Sequence, residues 1–494
     1  MRFLFLLFLA AAPALGARVI CYWNGNSFWR EGTAKVTVEE IKAGTPLCTH
    51  LIYGFAAIDD DDYHVEPIDK KLDLDKGKGQ WKAVAGLKRS QPGLSILLSV
   101  GGFNDKEDED KYFEVLEKPE RRTKFINSVV SLLREYGFDG IDLAWQFPPQ
   151  HEKYEKTSIG SIFHKITKTF GAGTDSKAKE HRDQFVNLCR ELKANLRPEN
   201  KVLSVGLLPH VNSTTYMDVR SLMPHVDMVN LWTVDFRTPE RSPEKADYVH
   251  PLGYLYPRLP HQNVDAIVKY WLDNGAEPHK LNLGIATWGR TWKLNEDSGK
   301  SGAPPIIADG PGEKGPHTKK EGLLAYYELC TKLVSPNDPK APAGTLRRVV
   351  DPEKKMGVYG FRLPDKKIDE GLWVGYEEPE TAAAKAIYAK SRGLGGVAVL
   401  DLGLDDSRGI CDGRKFPITT AAKLNLDYST TQSAPVKPVL SSLPAHPVQG
   451  VLPAQPAYGP VIEHPSFAAN QTHGAKVTHH PPVQPSYANI AIKG

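Results

Sequence analysis

Three things are scarce in this sequence: membrane-spanning apolar runs, excess charge of either sign, and cysteine. No apolar run after the first residues is long enough to cross a bilayer, so we expect a soluble mature chain without membrane insertion. The formal net charge is +3 over 494 residues, a balance that argues against a nucleic-acid partner. Five cysteines in an oxidising compartment predict two pairs and one leftover thiol, and their spacing does not fix the pairing.

The amino terminus carries the sequence's targeting signal. Residues 1–17 read MRFLFLLFLAAAPALGA, with a basic Arg2, an apolar run and small residues near Gly16 and Ala17. This order is typical of a cleaved signal peptide, and it is too short for a membrane anchor. We therefore expect a secreted, extracellular protein.

The mature chain alternates short apolar runs with helical patterns. Apolar runs without alternation are typical of strands that are covered on both faces. The eight predicted strands are Val19–Trp23, His50–Ile58, Leu94–Gly101, Phe138–Phe147, Val202–Pro209, Val226–Asp235, Leu281–Thr287 and Gly396–Asp401. Helical patterns such as Glu120–Tyr136 and Gln262–Asn274 lie between them. The pattern predicts an α/β fold, a (β/α)8 TIM barrel whose functional residues lie at the carboxyl ends of the strands.

Two interruptions and a tail stand out from this repeat. Residues 149–182 form a polar, lysine-rich passage after the fourth strand, too long for a simple loop. We take it as a solvated loop, or alternatively as a surface for heparan-like glycans or a receptor. Residues 289–394 separate the seventh and eighth strands. The domain thus spans 18–426, and the Pro- and His-rich segment 427–494 predicts a disordered tail.

The segment FDGIDLAWQFP, residues 138–148, carries the chemistry. It resembles the signature of family 18 glycoside hydrolases, the chitinases, in which Asp, Asp, Asp and Glu follow one another at every second or third position. The first two acids are present as Asp139 and Asp142. The third position holds Ala144, and the terminal Glu is replaced by Gln146. The motif is therefore degenerate.

These two replacements remove two kinds of transition-state stabilisation. Glycosidases protonate the leaving oxygen with a carboxylic acid, and an amide such as that of Gln146 has no transferable proton near neutral pH. In this family the substrate's own N-acetyl group attacks, and the resemblance implies that the third Asp orients it. Ala144 can neither accept a hydrogen bond nor carry charge. We expect no enzymatic activity, with no catalytic residue, cofactor or metal ion.

The resemblance extends over residues 18 to about 426. LLSVGGF (97–103) resembles the third-strand motif, and LGIATWGRTW (283–292) resembles the seventh strand with Arg290 intact. It implies a small α+β insertion domain at 289–394. In the sixth-strand segment Asp235 is kept, but Val234 replaces the usual Tyr, and Leu400 replaces the Trp that lies under the sugar. It also implies two disulfides, Cys21–Cys48 and Cys330–Cys411, leaving a buried free thiol at Cys189.

Aromatic residues near strand ends could still hold a sugar chain. The candidate residual sugar-binding residues, most of which are equally explained as packing residues, are Trp23, Trp145, Trp232, Asp235, Trp288, Arg290 and Trp292. Asp139 and Asp142 are either remnants of the site or structural acids that satisfy hydrogen bonds.

Among inactive relatives, the chain resembles the imaginal disc growth factors of insects. That resemblance implies extracellular signalling that promotes cell proliferation, motility and development through an unidentified cell-surface receptor. The alternatives are a lectin for chitin or other glycans that organises cuticle, and a weak chitinase.

Asn212 begins an Asn-Ser-Thr sequon, and glycosylation is expected there. Histidines of the tail, such as His479 and His480, are taken as solvated rather than metal-binding.

Overall fold

A closed barrel of eight parallel strands is the centre of the computed structural model, which describes residues 17–102, 105, 110–147, 175–334, 344–352, 355–365 and 370–427. The barrel strands are β1 (Arg18–Asn24), β2 (His50–Ile58), β3 (Ser95–Gly101), β4 (Gly140–Ala144), β5 (Val202–Leu207), β6 (Met228–Leu231), β7 (Leu281–Ala286) and β8 (Gly396–Leu400). Each strand pairs with the next, and β1 closes the barrel by pairing with both β2 and β8. The predicted (β/α)8 fold is confirmed.

Helices surround the barrel, apart from the short helix Tyr326–Leu329, which lies in the insertion. They span Val38–Lys42, Lys70–Asp73, Gln80–Ala85, Asp110–Glu117, Pro119–Tyr136, Ala178–Leu196, Ser213–Tyr216, Val219–Leu222, Val264–Asp273, Tyr326–Leu329, Pro379–Ser391 and Pro417–Asp427. The longer ones are amphipathic: Pro119–Tyr136 buries Phe125, Val129 and Leu133 on one face. Pro119 lies in the first turn of that helix, and Gly137 follows it at φ 81°, a left-handed conformation that glycine adopts without steric cost.

An insertion of mainly antiparallel structure lies between β7 and β8, as the fold class predicted. Its six-stranded sheet consists, in spatial order, of Leu323–Ala325, Trp288–Leu294, Gly371–Tyr376, Val358–Arg362, Leu346–Val350 and Leu333–Val334. A short strand pair joins Lys245–Ala246 to Ile306–Ile307, and Val65–Pro67 pairs with the end of β2. The sheet has small cores of its own. The helix Pro379–Ser391 packs back against β7 and β8.

Both disulfides implied by the family resemblance are present. Cys21 on β1 is bonded to Cys48, just before β2, and Cys330 of the insertion is bonded to Cys411 after β8. Cys189 is free and buried in the helix Ala178–Leu196. Burial raises the pKa of its thiol above the usual range.

Several predictions concern residues that the structure does not describe. Residues 1–16 of the predicted signal peptide, residues 149–174 of the lysine-rich passage and the predicted tail after Asp427 lie outside the described residues. Within the described part of the chain, no helix combines the length and apolarity that crossing a membrane would require.

Candidate functional site

Asp142 lies inside the barrel, where polar side chains of four other strands converge on its carboxylate. It is fully buried. Tyr22 Oη donates to its Oδ2 at 3.1 Å, Ser99 Oγ donates to the same oxygen at 2.7 Å, and Ser204 Oγ donates to Oδ1. Asn230 Nδ2 adds a longer contact of 3.4 Å to Oδ1. The carboxylate therefore already has donors on both oxygens.

Burial raises the pKa of Asp142, whereas the hydrogen bonds from Ser204, Ser99 and Tyr22 lower it; the net direction is upward. Removing a carboxylate from water disfavours its charged form, and donated hydrogen bonds offset part of that cost. Its surroundings are strands on every side, so Asp142 acts as the centre of a packed polar layer. This placement agrees with the interpretation of Asp142 as a structural acid.

Gln146 lies just beyond β4, half-buried, and its amide contacts main-chain oxygens. Nε2 donates to the carbonyl oxygen of Gly102 at 2.9 Å and also to that of Asp105. Asp105 is itself buried and is held by Lys111 Nζ at 2.8 Å and Tyr112 Oη at 2.7 Å. The amide therefore fastens the end of β4 to the chain that follows β3. Both of its observed contacts need N–H donors, which an ionised glutamate does not have.

Ala144 is the last residue of β4 and is fully buried, and its carbonyl oxygen accepts from Gly102 N at 2.9 Å. Asp139 lies at the opposite end of the same strand. Its carboxylate accepts from Lys88 Nζ at 2.7 Å and from Ile96 N at 2.9 Å. The structure thus separates Asp139 from the carboxyl end of the barrel. Asp139 thus accepts hydrogen bonds as a structural acid, but it does so at the amino-terminal end of β4 and away from the barrel mouth.

A second buried acid, Asp235, follows β6 and is paired with the insertion. Arg290 donates to it through Nε at 3.1 Å and Nη2 at 2.6 Å, and Trp288 Nε1 donates at 3.1 Å. Burial would raise the pKa of Asp235, but the Arg290 charge and these hydrogen bonds lower it to about 2. Asp235 has φ 52°, and its backbone N–H donates to His250 Nδ1 at 3.0 Å. Three candidate residues, Asp235, Trp288 and Arg290, thus form one fixed cluster.

The tryptophans named as sugar-binding candidates differ in position. Trp145 is packed edge to face on Tyr112 and Phe125, with ring centroids 5.0 and 5.7 Å apart, under the helix layer. Trp23 is fully buried and donates to Ser27 Oγ at 2.8 Å. Trp292 packs within the insertion sheet against Trp373. For these three the burial of the side chains supports the packing interpretation rather than sugar contact.

Trp232 and Trp288 are the candidates that approach the barrel mouth. Trp232 packs edge to face on Tyr22, with centroids 5.1 Å apart, and is 5% exposed; Trp288 is 7% exposed. Val234 and Leu400, the two replaced positions of the resemblance, are buried apolar residues at the same end. The mouth keeps two largely covered indoles but presents no broad aromatic floor at Leu400.

Residues that sequence reasoning missed complete the inner polar layer. They are Tyr22, Ser99, Ser204, Asn230 and Asn282, each buried, with Asn282 Nδ2 donating to Asn230 Oδ1 at 2.8 Å. A signal for them was available, since each is a polar residue within an apolar strand. Alternation along a strand relates only residues of that strand, so which of these residues face Asp142 follows from the register between strands and not from the sequence alone.

One group of acids in the described chain has the spacing of metal ligands. Asp59, Asp60 and Asp61, on the turn after β2, bring one oxygen each within 4.8 Å of one another. Asp59 Oδ1 already accepts from the backbone N–H groups of Asp61 and Asp62 at 3.0 and 2.9 Å. These bonds explain the cluster as an ordinary turn.

The barrel, its inner acid on β4 and the insertion before β8 together define a chitinase-type (β/α)8 protein. Residues 18–405 match the family described as Glycosyl hydrolases family 18, and the chain belongs to this family. Its sequence is similar to imaginal disk growth factor 6 of Drosophila melanogaster, with 43% identity covering 84% of this chain and 95% of that protein. It is also similar to chitinase-like protein EN03 of Bombyx mori, with 47% identity covering 85% and 98%.

A solved structure shares the fold as well. Human YKL-39, described as a pseudo-chitinase with retained chitooligosaccharide binding properties, superposes with a TM-score of 0.67 at 25% identity. The match covers 83% of this chain and all of that one, 100%. The family resemblance stated from the motifs is confirmed, and chitinase-like proteins of insects are among its relatives.

Proposed function

We propose that this chain is a secreted, non-catalytic chitinase-like growth factor that promotes cell proliferation, motility and development through a surface receptor. The observation that carries the loss of catalysis is the contact of Gln146. Gln146 lies just after β4, at the position where the family's signature has its proton donor, and its amide donates to the carbonyl oxygens of Gly102 and Asp105 after β3. Positioned general acids contribute about 10²–10⁴-fold to rate.

The other residues at the barrel mouth independently support the proposed loss of catalysis. Ala144 supplies no group to orient an N-acetyl oxygen, and Asp142 already accepts hydrogen bonds from Tyr22, Ser99 and Ser204. Asp235 is committed to Arg290. Asp142 accepts four hydrogen bonds and Asp235 accepts three, so the two carboxylates keep few lone pairs for a reacting sugar.

The signalling half of the proposal is supported by the similarity to imaginal disk growth factor 6. Its test uses the purified full chain on cultured insect imaginal-disc cells, with cell number and migration as readouts. We expect a saturable increase at low concentration and no release of fluorophore from a fluorogenic chitobioside. Turnover at the rate of an active chitinase would refute the non-catalytic proposal, and an absent cellular response would refute the growth-factor proposal.

A chitooligosaccharide-binding lectin is the second candidate, because YKL-39 is described as retaining such binding without being an active chitinase. Trp232 and Trp288 are the aromatic residues that remain for such a role, and both are mostly covered. Calorimetry with chitohexaose separates the two functions. Micromolar affinity that falls in the Trp232→Ala variant supports the lectin, and no heat at millimolar sugar disfavours it.

Secretion and glycosylation belong to the same proposal. The two disulfides are consistent with an oxidising compartment, and residues 1–17 would direct the chain there. Asn212 is half-buried and precedes the helix Ser213–Tyr216, with its Oδ1 accepting from Thr214 N at 2.8 Å and Thr214 Oγ1 at 2.7 Å. Glycosylation there predicts that glycosidase treatment lowers the mass of the wild-type chain, and that the decrease is smaller in Asn212→Gln because one of the two sequons is removed.

A further inference from the structure

An exposed tryptophan lies beside a cavity that the barrel interior does not include. Trp29, in the turn Gly25–Trp29 after β1, is 49% exposed, unlike the buried indoles considered above. A cavity of about 680 Å³ lies between this turn and the insertion segment 316–319. Its lining includes Asn26, Trp29, Arg30, Glu31, His317 and Lys319. We call this cavity the Trp29 pocket.

The indole of Trp29 is held in place through its edge. Nε1 donates to Asp69 Oδ2 at 2.7 Å, and Asp69 Oδ1 accepts from the backbone N–H groups of Lys71 and Leu72. Phe28 packs edge to face on the ring at a centroid distance of 5.0 Å. The Asp69 charge therefore lies at the indole edge, bound to protein donors. A ring that is fixed before binding loses little conformational freedom when a ligand stacks on it.

The opposite wall is fixed by a buried carboxylate. Glu328, buried in the insertion, accepts from His317 N at 2.7 Å, from Thr318 N at 3.0 Å and from Ala325 N at 2.8 Å. The two walls are joined directly, since Thr33 Oγ1 and His317 Nδ1 are 3.1 Å apart. The pocket is therefore a built feature shared by the β1 turn and the insertion.

Cations outnumber anions in its lining. Lys319 is exposed and forms no ion pair with any described residue. Arg30 is half-buried, and one of its N–H groups donates to the Gly403 carbonyl oxygen at 3.1 Å. Its guanidinium also interacts with Tyr327 and with the charge of the buried Asp401, so Lys319 is the freer of the two cations. Glu31 is the acidic residue among the lining residues. A neutral sugar gains nothing from an unpaired cation such as Lys319, whereas a carboxylate or sulfate beside a stacked ring does.

We propose that the Trp29 pocket binds an acidic sugar unit, a uronate or sulfated hexosamine of an extracellular polysaccharide. One face of the sugar ring stacks on Trp29, and its acidic group lies against Lys319 and Arg30. This site goes beyond the growth-factor proposal, because it concerns retention on an acidic matrix polysaccharide and requires no receptor. It is also separate from the barrel interior around Asp142.

Calorimetry of the full-length secreted protein tests the proposal with two probes of equal length. One is a heparin-derived sulfated hexasaccharide and the other is chitohexaose, each at about 50 mM and about 300 mM salt because surface charge interactions are screened by salt. We expect binding of the sulfated probe that weakens at high salt. Trp29→Ala should weaken it by about tenfold, the loss of one well-placed aromatic contact.

Lysine variants identify the charge contribution. Lys319→Gln should weaken the affinity for the sulfated hexasaccharide by about threefold to tenfold, and it should also reduce the salt dependence of that affinity. Lys300→Gln, which removes an exposed lysine of the insertion outside the pocket lining, should leave the affinity unchanged. Near-ultraviolet circular dichroism checks that each variant is folded.

Three results would overturn the proposal. The first is an affinity for chitohexaose that equals the affinity for the sulfated hexasaccharide and that falls by the same factor in Trp29→Ala. This result would make the pocket a neutral-sugar site. The second is an equal loss in the two lysine variants, which indicates diffuse charge attraction. The third is the absence of any heat with the sulfated probe at low salt.

Discussion

Replacing Gln146 by glutamate should destabilise the fold. The substitution keeps the shape of the side chain but puts an acceptor oxygen where Nε2 now donates to the carbonyl oxygens of Gly102 and Asp105. Two hydrogen bonds worth about 1 kcal/mol each are lost, and an ionised carboxylate would also face two carbonyl dipoles. We expect the free energy of unfolding to fall by about 2–4 kcal/mol at pH 8.

The pH dependence of this loss identifies its cause. Protonation restores one O–H donor, so the folded state should raise the pKa of the new carboxyl above about 4.3, the value in an unfolded chain. A group whose folded pKa is raised contributes stability at low pH and loses it as the pH rises through the folded pKa. The variant should therefore be closest to the wild type near pH 4 to 5 and furthest from it at pH 8.

Urea denaturation at the two pH values measures the effect. Gln91→Glu is the matched comparison, because the half-buried Gln91 donates through Nε2 to one carbonyl oxygen, that of Thr45, at 2.7 Å. We expect about half of the loss there. Equal stability of Gln146→Glu and the wild type at pH 8, or a loss that is the same at both pH values, would refute the reasoning about the amide.

Three further predictions concern buried acids and the degenerate motif. Burial raises the pKa of Asp73 to about 7, so ionisation of Asp73 destabilises the fold as the pH rises from about 4 to 7. Asp73→Asn should therefore unfold at a higher urea concentration than the wild type at pH 8, but not at pH 4. Arg290→Met should cost about 3–5 kcal/mol in urea denaturation, since it leaves Asp235 buried and unpaired; a loss below about 1 kcal/mol would contradict the pairing argument. Restoring Ala144→Asp together with Gln146→Glu should not recover ordinary turnover of a fluorogenic chitobioside, and full recovery would show that the other mouth replacements have little effect.

The strands could be predicted because burial on both faces leaves a plain signal in sequence. Their ends could not be predicted as well. The predicted Phe138–Phe147 shortens to β4, Gly140–Ala144, and the predicted Val226–Asp235 shortens to β6, Met228–Leu231. In both cases the apolar run continues past the last ladder pair, since Trp145 and Val234 are buried by packing without belonging to a strand. An apolar run in the sequence indicates which residues are buried, and the paired part of the strand ends before the apolar run does.

The residue types of the site could be predicted from the sequence, but the orientations and hydrogen-bond partners of their side chains could be predicted less well. The changes at Ala144 and Gln146 were visible in the sequence, whereas the carbonyl partners of Gln146 depend on how the chain returns after β3. The burial of Trp145 could have been inferred, because it lies three residues from the inward Asp142 and alternation along the chain turns it outward. Trp23 lies next to the inward-facing Tyr22, and the same argument applies to it.

The committed hydrogen bonds of Asp142 and Asp235 have a pharmacological consequence. An inhibitor that imitates the cationic sugar formed during hydrolysis gains affinity from a carboxylate that is free to face it. In this protein the two acids already accept bonds from Ser99, Ser204 and Arg290, among others. Such compounds should therefore bind active chitinases more tightly than this protein, and the proposed cellular activity could then be measured while chitin turnover is inhibited.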